Sequence, residues 1–156
     1  MIEPSCGSDR SSIEALQNVG TVDQVPDRST TPPRPASRPG LTACSLCAGE
    51  TLGVHDPLEG GQLARLEALR SRGLADLTLS ECLDECERGD VVVARPSAVG
   101  RRASGRPVWF ERLAGDELTH ELERWLEKGG PGVAEQPAAL RPLQIDRSQP
   151  EIPPAE

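Results

Sequence analysis

Tyrosine is absent from the 156 residues, and one Phe with two Trp brings the aromatics to only 2%. Trp109 and Trp125 read as core and sheet-cover residues rather than as electron relays. No run approaches the ~18 consecutive apolar residues of a membrane-spanning helix, so no membrane association is expected. No basic stretch followed by an apolar one opens the chain, and the expectation is a cytoplasmic protein without an export leader. A basic field is also missing. With 17 Lys and Arg against 25 Asp and Glu, the formal charge is -8. That balance argues against nucleic acid as a ligand and fits docking to a basic protein surface.

Proline is plentiful and unevenly placed. Residues 1–40 carry Pro32, Pro33, Pro35 and Pro39 among Ser, Thr, Asp and Arg, without a sustained apolar period. Such a segment buries too little surface to offset its ordering entropy and reads as a disordered arm. After Gly129-Gly130-Pro131-Gly132, residues 131–156 are again rich in proline and read as a mobile tail, the alternative being that Ala138, Ala139, Leu140, Leu143 and Ile145 lie against the domain. The folded unit is expected over residues 41–130. A domain of that size buries only roughly 60–65% of its unfolded surface, so a bound metal would help hold it together.

Five cysteines in a chain of this kind point to reduced thiols, hence to metal or redox chemistry rather than structural disulfides. Cys6 stands alone in the arm and reads as an incidental thiol. The other four form two pairs, Cys44-Ser45-Leu46-Cys47 and Cys82-Leu83-Asp84-Glu85-Cys86. A helical turn over the second pair would put positions i and i+4 on one face. Glu50, Glu81, Glu85 and Glu87 surround the pairs and should raise the thiol pKa values, which a bound cation would offset.

Between and after the pairs the chain alternates strand and helix patterns. Leu41–Ala43 can end a strand. Leu63, Leu66 and Leu69, with Ala64 and Ala68, recur at helical spacing, while Arg65, Glu67, Arg70 and Arg72 fall on the other face and Gly73 stops the helix. Leu77 and Leu79 alternate as in a half-buried strand, and Val91-Val92-Val93-Ala94 reads as a strand covered on both faces. Residues 97–106 read as a Gly/Ser/Arg loop leading to an alternating strand around Val108 and Phe110. From an N-cap at Asp116, Leu118, Leu122, Trp125 and Leu126 define a final amphipathic helix. The order β-α-β-(Cys turn)-β-β-α predicts an α/β domain: a small thioredoxin-like mixed four-stranded sheet covered by helices and flanked by disordered tails.

The stretch from Leu77 to Leu126, with Cys-Leu-Asp-Glu-Cys-Glu-Arg-Gly-Asp-Val-Val-Val-Ala-Arg-Pro at its centre and Arg-Pro-Val-Trp-Phe downstream, resembles the thioredoxin-like [2Fe-2S] ferredoxins. The resemblance implies a small electron carrier, not an enzyme, with a [2Fe-2S] cluster in two loops at one end of the sheet. It implies Cys82 and Cys86 as the late ligand pair. The early pair departs from the family, which spaces those cysteines much further apart. Cys44 and Cys47 are assigned as its members, because a thiolate pair suits a soft metal directly. His55, nearest the family's second position, is the other candidate, in a mixed ligation of the kind that raises cluster potentials. The implied partner is a protein redox partner, a reductase or oxidoreductase. The oligomeric state is left open, a homodimer included.

Zinc is the inorganic alternative, since Cys-x2-Cys is a frequent half of a structural zinc site. A dithiol oxidoreductase is disfavoured. No helix start adjoins Cys47 to lower a thiol pKa, and Gly89-Asp90 stand where oxidoreductases of this fold place a proline before the third strand. A cluster-free or zinc-stabilised protein-interaction module is the remaining alternative, with the long arms in its favour. Arg95, Arg101, Arg102 and Arg106 gather around the hairpin loop and read as a solvated surface more than a docking patch.

Overall fold

A computed structural model describes residues 38–147. Cys6 and most of the proposed N-terminal arm lie outside those residues, as do residues 148–156. Seven elements follow one another: β1 (Gly40–Cys44), α1 (Gly61–Ser71), β2 (Asp76–Ser80), β3 (Val92–Arg95), α2 (Ala98–Arg102), β4 (Val108–Phe110) and α3 (Asp116–Glu127). They form a mixed α/β unit around a four-stranded sheet of order β2-β1-β3-β4. α1 returns the chain so that β2 pairs parallel to β1, with Leu41 opposite Leu77 and Cys44 opposite Ser80. β3 runs antiparallel to β1, and β4 antiparallel to β3.

Alternation along the strands sends Leu41, Ala43, Val92, Ala94 and Phe110 to one face. There they pack with Leu66 and Leu69 of α1 and with Leu122, Trp125 and Leu126 of α3. Phe110 meets Trp125 edge to face at 6.1 Å between ring centroids. α3 starts on Asp116 and Glu117, whose charges suit a helix N-terminus. Its N-cap is Gly115, one residue before the expected Asp116. It stops where Gly129 turns to φ +104° and Gly130 N–H closes on Trp125 O at 3.0 Å.

α1 buries a different stripe from the one its leucines suggested. Gln62, Arg65, Leu66 and Leu69 face inward, while Ala68 is exposed. Each buried polar group has partners that make this possible. The Gln62 amide donates to Thr119 Oγ1 and accepts from Gly115 N–H, both at 3.0 Å. Arg65 holds Asp56 through two hydrogen bonds of 2.6 and 2.8 Å and Asp116 through one of 2.6 Å. A hydrophobicity pattern does not register such pairings.

Two further segments differ from expectation. Residues 98–102, expected as loop, form α2, capped by Ser97 Oγ accepting from Gly100 N–H at 3.1 Å. Packing also continues past Gly130. Leu140 is fully buried in a 3-10 turn (Ala138–Leu143), and Ile145 N–H reaches Trp109 O at 2.9 Å along β4. The Trp125 indole N–H donates to Ala134 O at 2.9 Å. At Gly105 a Cβ would stand 2.6 Å from Gly132 Cα, so backbone-to-backbone approach there requires glycine. No helix among the described residues is long and apolar enough to cross a membrane.

Candidate metal centre

Parallel pairing of β1 and β2 places their C-terminal ends side by side, and each strand releases its chain into a cysteine loop. Ser45 N–H bonds Ser80 O at 2.8 Å across that end. Cys44 Sγ donates to Glu81 O at 3.3 Å and receives the N–H of Leu83. The first cysteine of the early loop is thereby fastened to the late loop. Both pairs occupy one end of the sheet.

The Cys82–Cys86 segment is not helical. A 3-10 turn begins only at Cys86 (Cys86–Arg88), and Asp84 adopts φ +59°. Asp84 N–H turns back to Cys82 Sγ at 3.3 Å. That local bond makes a turn instead of a helix, yet it still brings Cys82 Sγ and Cys86 Sγ to 3.2 Å. Two thiolates on one tetrahedral metal stand about 3.8 Å apart, given a metal–sulfur bond of roughly 2.3 Å. A small opening of the turn reaches that spacing.

The two pairs differ in environment. Cys44 and Cys47 are each 3% exposed and pack with Val91, Leu83, Trp109 and Ile145. Cys82 and Cys86 are exposed. Burial acts to raise the Cys44 pKa, but contact with Cys47 Sγ and the N–H groups of Cys47, Leu46 and Leu83 together outweigh it and lower the value. At Cys47, burial dominates, with Cys44 and Glu50 adding to it, and the pKa is pushed up to about 11 despite the N–H of Val91. The neighbouring Cys82 raises Cys86. The acidic residues thus contribute less than expected, burial and sulfur–sulfur contact more. Glu85 is itself paired with Arg88 at 2.8 Å and Arg147 at 3.3 Å.

Asp90 entered the sequence reading only as part of the pair standing in place of a proline, without a role of its own. It is 2% exposed, and its carboxylate accepts from Gly49 N–H at 2.6 Å and Thr51 N–H at 2.8 Å. Its visible signal was an acid placed directly before a buried β-branched run. Gly49 N–H therefore points to the Asp90 carboxylate and not to a sulfur. His55 sits exposed in a 3-10 turn (Gly53–His55), and His120 is exposed beside Glu123 on α3. Arg95 turns inward to Leu41 O and Thr78 Oγ1, leaving Arg101, Arg102 and Arg106 exposed on the hairpin side.

Among the described residues, no three His, Cys, Asp or Glu side chains are grouped so as to hold one metal ion. The thiols stand as two pairs, not as one tetrahedral set. Trp109 and Ile145 also line an open groove of about 890 Å³, together with Trp125, Arg106 and Arg147. Arg147 stacks over the Trp109 ring at 4.2 Å. No family model, no curated protein and no solved structure matches the chain.

Proposed function

We propose that the chain is a small electron carrier of the thioredoxin-like ferredoxin type. In this reading one [2Fe-2S] cluster is held by Cys44, Cys47, Cys82 and Cys86. The carrying observation is the meeting of two thiol pairs at the C-terminal ends of β1 and β2, joined by the bonds of Cys44 Sγ to Glu81 and Leu83. A [2Fe-2S] unit takes two protein ligands on each iron, so two separate pairs suit it. A single zinc ion would instead need its ligands gathered around one point. The strand order β2-β1-β3-β4, with only β1 and β2 parallel, supports the thioredoxin-like arrangement.

The chain's own residues set the conditions for the cluster. Trp109, Val91, Leu83 and Ile145 exclude water from the Cys44/Cys47 side. N–H groups of Leu46, Cys47, Leu83 and Val91 direct positive dipole ends at the two buried sulfurs and stabilise the added negative charge of the reduced state. The exposed Cys82/Cys86 pair gives an electron its shortest way to a partner. Around it, Leu46 is 72% exposed and Glu81, Asp84 and Glu87 carry charge. That surface suits a basic reductase or oxidoreductase. Dithiol exchange is the less suited chemistry: Cys44, the thiol with the lowered pKa, is closed to a disulfide substrate.

The electron-carrier reading is tested by reducing the anaerobically reconstituted full chain with dithionite. Visible absorption should bleach on one-electron reduction, an S = 1/2 resonance should appear, and both should reverse on reoxidation. A protein that takes up iron but cycles no electron would end the carrier reading.

A further inference from the structure

Asp90 is a buried carboxylate with no ion pair among the described residues, and its backbone is strained. A φ of +41° is uncommon outside glycine, and the preceding Gly89 stands at +60°. These two turns wrap the chain around Cys47. Asp90 N–H donates to Cys47 O at 3.1 Å, and the next amide, Val91 N–H, bonds Cys47 Sγ. The Asp90 carboxylate grips the residues just after Cys47 through the N–H groups of Gly49 and Thr51. On its other side, Leu113 N–H bonds Asp90 O at 3.3 Å and Arg112 N–H bonds Gly89 O at 2.9 Å, which tie the turn to the segment leaving β4. Cys47 is therefore held at its sulfur, at its carbonyl and at the loop beyond.

We propose that Asp90 is a positioning residue for Cys47: its carboxylate fixes loop 47–51 so that the Cys47 sulfur meets a metal in one geometry. For the metal centre, this rests on the cluster reading given above. A buried charge needs full hydrogen bonding to persist, and two charge-assisted bonds to backbone N–H supply it. In return the loop carrying a ligand keeps one conformation, as partners of metal ligands do elsewhere. The fixed negative charge beside the site also disfavours adding an electron.

Asp90→Asn is the informative variant. Asn tolerates a positive φ, but its amide turns a donor toward one of the two N–H groups and breaks half of the clamp. In the apo full chain, alkylation of Cys47 by iodoacetamide should quicken at least tenfold, while Cys82 reacts at its original rate. In the iron- and sulfide-reconstituted chain, the one-electron equilibrium should move toward the reduced form by about tenfold, roughly 59 mV. Iron loss to a chelator should quicken by at least tenfold. A general loosening of the fold would also favour the reduced form by admitting water, and it is told apart by faster alkylation of every buried thiol and a lowered urea midpoint, neither of which the clamp predicts. Asp90→Gly, which accepts the backbone angle freely, provides the same readings if the Asn variant fails to fold. Unchanged Cys47 reactivity and unchanged potential in a loaded, folded variant would overturn the assignment. Faster alkylation of Cys47 in the variant, together with a wild-type chain that takes up no iron, would support the clamp and remove the cluster.

Discussion

Cys44 and Cys47 share a loop and are each only 3% exposed, but at Cys44 the Cys47 sulfur and backbone N–H groups outweigh burial and lower the pKa, while burial dominates at Cys47. If these thiols act with Cys82 and Cys86 as one site, the four are not interchangeable with serine. Cys44→Ser and Cys86→Ser, one from each pair, should each cut bound iron by more than half and remove the visible absorption of the reconstituted chain. A serine variant that keeps full iron would exclude that residue as a ligand. Asp56 offers a test at the same scale that is independent of any metal. The Arg65 guanidinium, then the Leu58 N–H, hold its carboxyl below the usual range. A depressed carboxylate pKa contributes stability above the unfolded value, about 3.9, and loses it as pH falls through the folded pKa. Asp56→Asn should therefore lower Tm at pH 7, and by more than Glu123→Gln in the exposed Arg72 pair. The difference between wild type and Asp56→Asn should shrink below about pH 4. Equal differences at pH 3 and pH 7 would contradict the ion pair. Single residues were the least legible scale. Arg65 reads from its charge as a surface residue, and only Asp56 and Asp116, brought close by the fold, make its burial affordable.

At the scale of elements, α3 and the Val-rich strand were legible because their apolar periods agree with the packing that forms. Trp125, Leu122 and Leu126 are buried where the period places them. Short elements set by local hydrogen bonds were not. The Ser97 cap that starts α2 and the Asp84 amide that turns residues 82–86 away from a helix leave no apolar period. Residues 131–147 were legible only in part: Leu140, Leu143 and Ile145 were candidates for packing, but the composition favoured a tail. Prolines made them resemble the arm, yet Pro137 and Pro142 only flank or bend a turn that seats Leu140 in the core. Leu140→Ala should cost about 2–5 kcal/mol, measured by urea denaturation. Leu143, half-buried, should cost less. A loss near zero for Leu140→Ala would mean that the segment does not belong to the folded unit.

At the scale of the whole molecule, two apolar clusters share the sheet among the described residues: a larger one under α1 and α3, and a smaller one around the buried thiols. The smaller cluster draws on β1, both cysteine loops, the residue before β3, β4 and the segment after α3. A metal bound by Cys44 and Cys47 would therefore brace several parts of the chain at once. Because binding energy at such a site is also folding energy, removing the metal with a chelator should lower Tm and broaden the transition. An identical melt before and after chelation would place the metal outside the fold. In the proposed reading the two thiol pairs hold one iron–sulfur cluster between them. Its most direct test is iron, zinc and acid-labile sulfide analysis of the anaerobically purified full chain. Iron and sulfide in equal amounts, about two of each per chain, are predicted. Stoichiometric zinc without sulfide, or four free thiols and no metal, would contradict it.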